Sequence, residues 1–129
     1  KDPLQLILHI GILWIAIGFL LMAYASLVDD RYIILSYHAL SVGAAGSMTL
    51  GVMSRAIIGH SGRPINNEFI LTTIFILISL SAISRIIAPI LFVDFYMEFL
   101  FASAVCWVLA YLLFLIRFIP VVLKPKAIF

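Results

Sequence analysis

Charge is what this sequence has least of. Lysine, arginine, aspartate and glutamate together make up 11% of its 129 residues, against about 25% in ordinary soluble domains. Hydrophobic residues reach 65%, more than a soluble fold of this length can bury. A soluble enzyme, a disordered chain and a low-complexity chain are thereby excluded. There is no basic run, and the formal charge is only +2, so nothing is present to neutralise a nucleic-acid backbone. Cysteine is nearly missing too. Cys106 stands alone, which rules out an intrachain disulfide and leaves the redox compartment unread. No acidic residue lies deep in an apolar run, an absence that weighs against a proton-driven transporter. Also missing are a Ser/His/Asp set, an HExxH helix and a phosphate loop.

What is present is apolar length. A membrane-crossing helix needs roughly 20 mostly apolar residues, and four runs meet that need, at about 4–28, 32–58, 69–92 and 99–123. They are too long and too continuously apolar for a transmembrane β-barrel. The links between them are short enough to join only antiparallel neighbours. The expectation is an all-α polytopic membrane protein: one antiparallel four-helix bundle over residues 1–129. Residues 23–25 resemble a small-residue cleavage site, but the apolar stretch before them exceeds a signal-peptide core and three more spans come after it. With no initiator methionine, the chain reads as processed or cut from something longer.

The cations set an orientation. Lys1, Arg55, Arg63, Arg117, Lys124 and Lys126 fall on the side of the termini and the middle loop, and only Arg31 and Arg85 on the other. The positive-inside rule places both termini in the cytoplasm.

Ala39, Gly43, Ser47 and Gly51 recur every four residues and form a small-residue ridge on the second span. Such a ridge lets helix backbones approach closely in lipid, or it offers a flat bed to a large cofactor. Ser79, Ser81 and Ser84 can bond to their own helix or to a neighbour. Trp14 and Trp107, near mid-membrane, are expected to face protein or a bound group. Tyr32, Tyr37 and Tyr96 suit the interface.

Ionisable groups within spans are functional candidates by default. Imidazole can ligate haem iron, copper or zinc. His9 and His60 lie toward the inner side, whereas His38 lies near the outer edge and needs a partner from another chain or a residue such as tyrosine or methionine. Each histidine can instead simply bond a carbonyl. Arg55 and Arg85 can snorkel or clamp a propionate in a fork geometry, and Arg85 can also pair with Asp94 or Glu98. Met48, Met53 and Cys106 are soft donors without a metal-binding spacing. The stretch Gly59-His60-Ser61-Gly62-Arg63-Pro64 reads as a turn with two flexible glycines, or as a polar clamp for an anion.

The stretch 38–55, from His38 through Gly43, Gly46 and Gly51 to Arg55, continued by that Gly59–Pro64 segment, resembles the signature of the NnrS family. Arg85-Ile86-Ile87-Ala88-Pro89 agrees with it. So do Trp107-Val108-Leu109-Ala110-Tyr111 and the run from Arg117-Phe118-Ile119-Pro120 to Lys124-Pro125. The resemblance covers about residues 37–126, with the first helix matching in character alone. It implies a bacterial inner-membrane protein with haem b and copper as cofactors, associated with nitric oxide metabolism and nitrosative stress. Carried over by motif, His38 and His60 are the candidate metal ligands, and Arg55 and Arg63 the candidate clamps for a propionate or other anion. His9 joins them as a further candidate for cofactor binding.

Family members are longer chains with more spans, and this sequence resembles their carboxy-terminal third. It is therefore expected to be a fragment or a split subunit, beside other membrane subunits or the missing helices of a longer chain. An alternative is an accessory or structural subunit of a larger respiratory membrane complex, without a cofactor of its own.

Overall fold

A computed structural model describes residues 3–62 and 68–123, all of them in helices or the short links between helices. Helix α1 spans Pro3–Leu27 and helix α2 spans Asp30–Ser61. Helix α3 spans Glu68–Leu91, and helix α4 spans Tyr96–Leu123 after a short 3₁₀ turn at Val93–Phe95. All four are long and apolar enough to cross a membrane. The protein is an all-α integral membrane protein with four helical spans.

Helix α4 begins at Tyr96, three residues before the expected start at 99, and both ends of α2 differ from the sequence reading, each for a local reason. At the first of these, α2 starts at Asp30 because the Asp29 carboxylate caps its opening 3₁₀ turn, accepting from the Arg31 N–H at 3.0 Å. Asp29 also pairs with the Arg31 guanidinium at 2.7 Å, and this hydrogen bonding holds its carboxyl below the usual carboxylate range. The second is at the other end of α2. Gly59 and His60 are helical, and Gly62, at φ 65°, supplies the left-handed residue that ends the helix. The turn expected from Gly59 onward thus begins at Gly62.

Hydrophobicity does not drive association within lipid, so packing and polar contacts must. The α1–α2 pair is zipped by reciprocal glycine contacts. A Cβ on Gly43 would sit 2.6 Å from the Trp14 ring, and one on Gly51 would sit 2.8 Å from Ile7. In return Met48 fills the space at Gly11, and Leu40 the space at Gly18. These contacts run in opposite chain directions, so the two helices are antiparallel. On its other side α2 seats Ile78 of α3 against Gly46. The small-residue ridge is therefore covered by side chains of α1 and α3, and the flat-cofactor alternative for it is excluded.

Helices α3 and α4 are joined by a buried hydroxyl clasp. The Ser81 hydroxyl donates to the Ser103 carbonyl, and the Ser103 hydroxyl to the Ser81 carbonyl, each at 2.8 Å. Among the described residues, no Cα of helix α1 comes within 8 Å of one in helix α4. The most apolar windows of α2 and α3 are 44% and 39% buried, against 22% and 17% for α1 and α4. The middle pair is thus central and the outer pair flanks it. The main core gathers Ile7, Leu50, Ile74, Ile78, Phe114 and Phe118, and a second one gathers around Trp14, Ala39, Ala82 and Ile86.

Three buried hydroxyls, on Ser36, Ser47 and Ser54, find no partner among the described residues. They set a contrast with the clasp. Ser81→Ala removes the Ser81 hydroxyl's half of the α3–α4 clasp, leaving the Ser103 hydroxyl on the residue 81 carbonyl, and lowers the unfolding temperature in detergent, by the equivalent of about 0.6–1.7 kcal/mol. Ser47→Ala removes an unsatisfied group and leaves that temperature unchanged or raised. A second contrast tests the zipper. Gly43→Ala forces the Trp14 ring aside and costs about 1–3 kcal/mol. Gly59→Ala meets open space and gains up to about 1 kcal/mol of helix propensity. Equal unfolding temperatures for the two glycine variants would overturn the zipper.

Candidate functional site

The site is built where the regular helix of α2 gives way. Residues 33–38 are α-helical, Ala39–Ala45 is a π-helix, and α-helix resumes at Gly46. The Gly46 N–H reaches back to the Ser41 carbonyl, five residues earlier. The Ser41 hydroxyl donates to the Tyr37 carbonyl at 2.6 Å. Ala39 and Ala44 are buried and Trp14 lies over Gly43, so the wide turn is held by packing. Such π segments occur frequently at functional sites.

His38 is the last residue before the wide turn. Its Nε2 accepts a hydrogen bond from Arg85 Nε of α3 at 3.2 Å. An N–H of a permanently charged guanidinium on Nε2 assigns the ring proton to Nδ1 and leaves the imidazole neutral. Arg85 turns sideways to His38 instead of pairing with Asp94 or Glu98. The reason is placement: Arg85 lies six residues before the end of α3, whereas Asp94 lies in the turn beyond it and Glu98 opens α4. Pro89, four residues after Arg85, has no N–H to give the Arg85 carbonyl. The helix ladder is therefore interrupted beside both members of the pair.

Beside them lies a cleft of about 380 Å³ between α2, α3 and α4. His38 and Arg85 form its polar wall, with the Ser81–Ser103 clasp at its side. Val42, Ala104, Trp107 and Val108 supply the apolar wall. Trp107 is 42% exposed and its ring lies 4.4 Å from that of Tyr111. Of the two tryptophans expected to face protein or a ligand, Trp14 is buried in the core, and Trp107 faces outward at the mouth of this cleft. No other described helix covers α4 on that side, because α1 is out of reach.

The other candidate residues lie elsewhere. His9 is exposed, with its Nδ1 2.7 Å from the Gln5 carbonyl within its own helix turn. Arg55 and His60 are exposed near the far end of α2. His38 and His60 are separated by 22 positions of one continuous helix, or about 33 Å at about 1.5 Å per residue. They cannot share one metal ion. Arg63, with Lys1, Lys124 and Lys126, lies outside the described residues. Met48 and Met53 fill packing space, and Cys106 is a free, half-buried thiol. No group of three or more His, Cys, Asp or Glu side chains able to hold a metal ion occurs among the described residues.

The His38–Arg85 hydrogen bond is the contact that sequence reasoning missed. Its signal was matched depth: both residues fall near the same end of the bundle, on spans that neighbour each other.

A family model described as NnrS protein matches residues 1–126. The match takes in α1, which the sequence resemblance had linked to the family in character alone. No curated protein and no solved structure matches the chain. A match over nearly its whole length makes this four-span membrane protein a member of the NnrS family.

Proposed function

We propose that the protein acts in nitric oxide metabolism or nitrosative-stress protection in the bacterial inner membrane. Its termini would lie in the cytoplasm and residues 1–129 would form one transmembrane domain. The observation that carries this reading is the His38 imidazole. It stands in a membrane-spanning helix of an NnrS-family chain, on the wall of a cleft, with a cation as its neighbour.

The donor set at the cleft suits haem better than copper. A haem needs as little as one imidazole from the protein, together with apolar walls and cations for its carboxylates. The cleft has His38, Val42, Trp107, Val108 and Arg85. A copper ion wants several nitrogen or sulfur donors together, and the described residues near His38 bring none besides its own ring. A copper ligand role falls to His60 at the opposite end, with donors supplied by other membrane subunits or by further helices. Arg55 is the candidate anion clamp at that end, with Arg63 and His9 as companions. Haem would supply an iron centre that takes a diatomic gas. This chain's own part would be to present the His38 nitrogen, which requires Arg85 to release it, and to keep water out with the apolar wall.

The test is the visible spectrum of the purified full chain in mild detergent, oxidised and dithionite-reduced, with metal analysis of the same sample. A stoichiometric Soret band is expected, lost or strongly weakened by His38→Ala and retained by His60→Ala. Nitric oxide added to the reduced sample should then shift the band. Neither haem nor copper in the purified chain would overturn autonomous cofactor binding and favour the accessory-subunit alternative.

A further inference from the structure

We propose that Arg85 is the head-binding residue of a site for an anionic amphiphile. The oxyanion would lie on its guanidinium and the apolar body along Trp107 and Val108. The site needs no metal; it uses the cleft and the His38–Arg85 bond that haem at His38 would displace, so it belongs to the haem-free chain.

Arg85 carries a charge that its neighbours leave uncompensated. It sits within the span Phe69–Leu91, six residues or about 9 Å short of its end. A guanidinium at that depth is costly unless it is paired or reaches water. Within the described residues its hydrogen bond goes from Nε to a neutral acceptor, His38 Nε2. A neutral imidazole orients the side chain without cancelling its charge. Arginine has five N–H donors. With Nε taken, four remain on the two terminal nitrogens, and these form the edge that accepts a carboxylate or phosphate in parallel bonds. His38 therefore acts as a positioning residue, fixing one edge of the fork and leaving the other free.

The rest of the cleft defines what is attached to the oxyanion. Ser81 and Ser103 spend their hydroxyls on each other, so Arg85 is the cleft's free polar handle. Val42, Ala104, Val108 and the exposed ring of Trp107 complete the lining. At about 380 Å³ the space is at the small end of ligand sites. That suits one charged head and a short length of apolar chain, not a large polar molecule. A membrane phospholipid and a free acidic amphiphile share this chemistry, an oxyanion on an apolar tail.

The test is a titration of the full chain, freed of any haem that its visible spectrum shows, in neutral maltoside micelles, monitored by tryptophan fluorescence, with dodecyl phosphate as the probe. A saturable change is expected that disappears in Trp107→Phe. Arg85→Gln should weaken it about tenfold or more, the size of a lost charge-assisted bond, and Arg85→Lys should weaken it less. Ala104→Phe fills the cleft without touching the charge and should abolish the change, so the idea stays testable if Arg85→Gln fails to fold. In phosphatidylcholine vesicles, a parallel response to added phosphatidylglycerol assigns the site to lipid. A response to dodecyl phosphate alone assigns it to a free amphiphile, and both results support the site. Unchanged dodecyl phosphate binding by Arg85→Gln and Ala104→Phe overturns the proposal, as does an equal response to inorganic phosphate.

Discussion

The close approach of α1 and α2 is the contact on which the remaining structure depends. Lipid offers no hydrophobic reward for bringing helices together, so the bundle must be held by fitted surfaces. Two glycines of α2, Gly43 and Gly51, receive Trp14 and Ile7, and two glycines of α1, Gly11 and Gly18, receive Met48 and Leu40. Each helix supplies both holes and knobs. With α2 fixed on one side, Gly46 gives Ile78 its seat and brings in α3. The serine clasp then hangs α4 on α3. The order of dependence explains why α4 is the least buried span and why the cleft opens on its side.

The same zipper accounts for the wide turn. A π segment inserts one extra residue and turns the helix before it by about 100° relative to the helix after it. That insertion is tolerated here because Trp14 packs over Gly43 in the middle of Ala39–Ala45, with Ala39 and Ala44 buried beside it. The rotation has a consequence at its leading edge, where His38 is directed to α3 and meets Arg85 instead of facing lipid.

The four spans, their class and the shared face of the small residues could be read from the sequence, because length and apolarity decide spanning and small residues at four-residue spacing share a face; that the face serves packing is decided by the side chains seated on it. The family could be read from the pattern around His38 and the later Arg85–Pro89 stretch. Three features could not. The π segment is made of Ala, Gly, Ser, Val and Leu, all compatible with ordinary helix, and the Trp14 ring that packs on it comes from another span. The His38–Arg85 bond joins residues 47 positions apart, whereas nearby Asp94 and Glu98 offered Arg85 an electrostatically simpler match. Trp107 faces outward because α1 does not reach α4, a matter of bundle arrangement that no single span encodes. The end of α2 was misread by three residues because Gly59 and Gly62 look alike in sequence, and only Gly62 adopts the left-handed conformation.

A polar pair inside a membrane is expensive, and this one is placed where the backbone is weakest. Pro89 withholds an N–H from the Arg85 carbonyl, and the π segment begins one residue after His38. Broken ladders are tolerated at membrane depth only where protein or a cavity re-satisfies the freed groups. Both interruptions flank the same cleft. A merely structural pairing of α2 and α3 would be served as well by a neutral contact such as the serine clasp, without the charge. The coincidence of an unneutralised guanidinium, a neutral imidazole that fixes its orientation and two loosened helices therefore points to a binding role for this end of the bundle. The His60 end lies about 33 Å away along α2, so the two histidines stand at opposite ends of one helix.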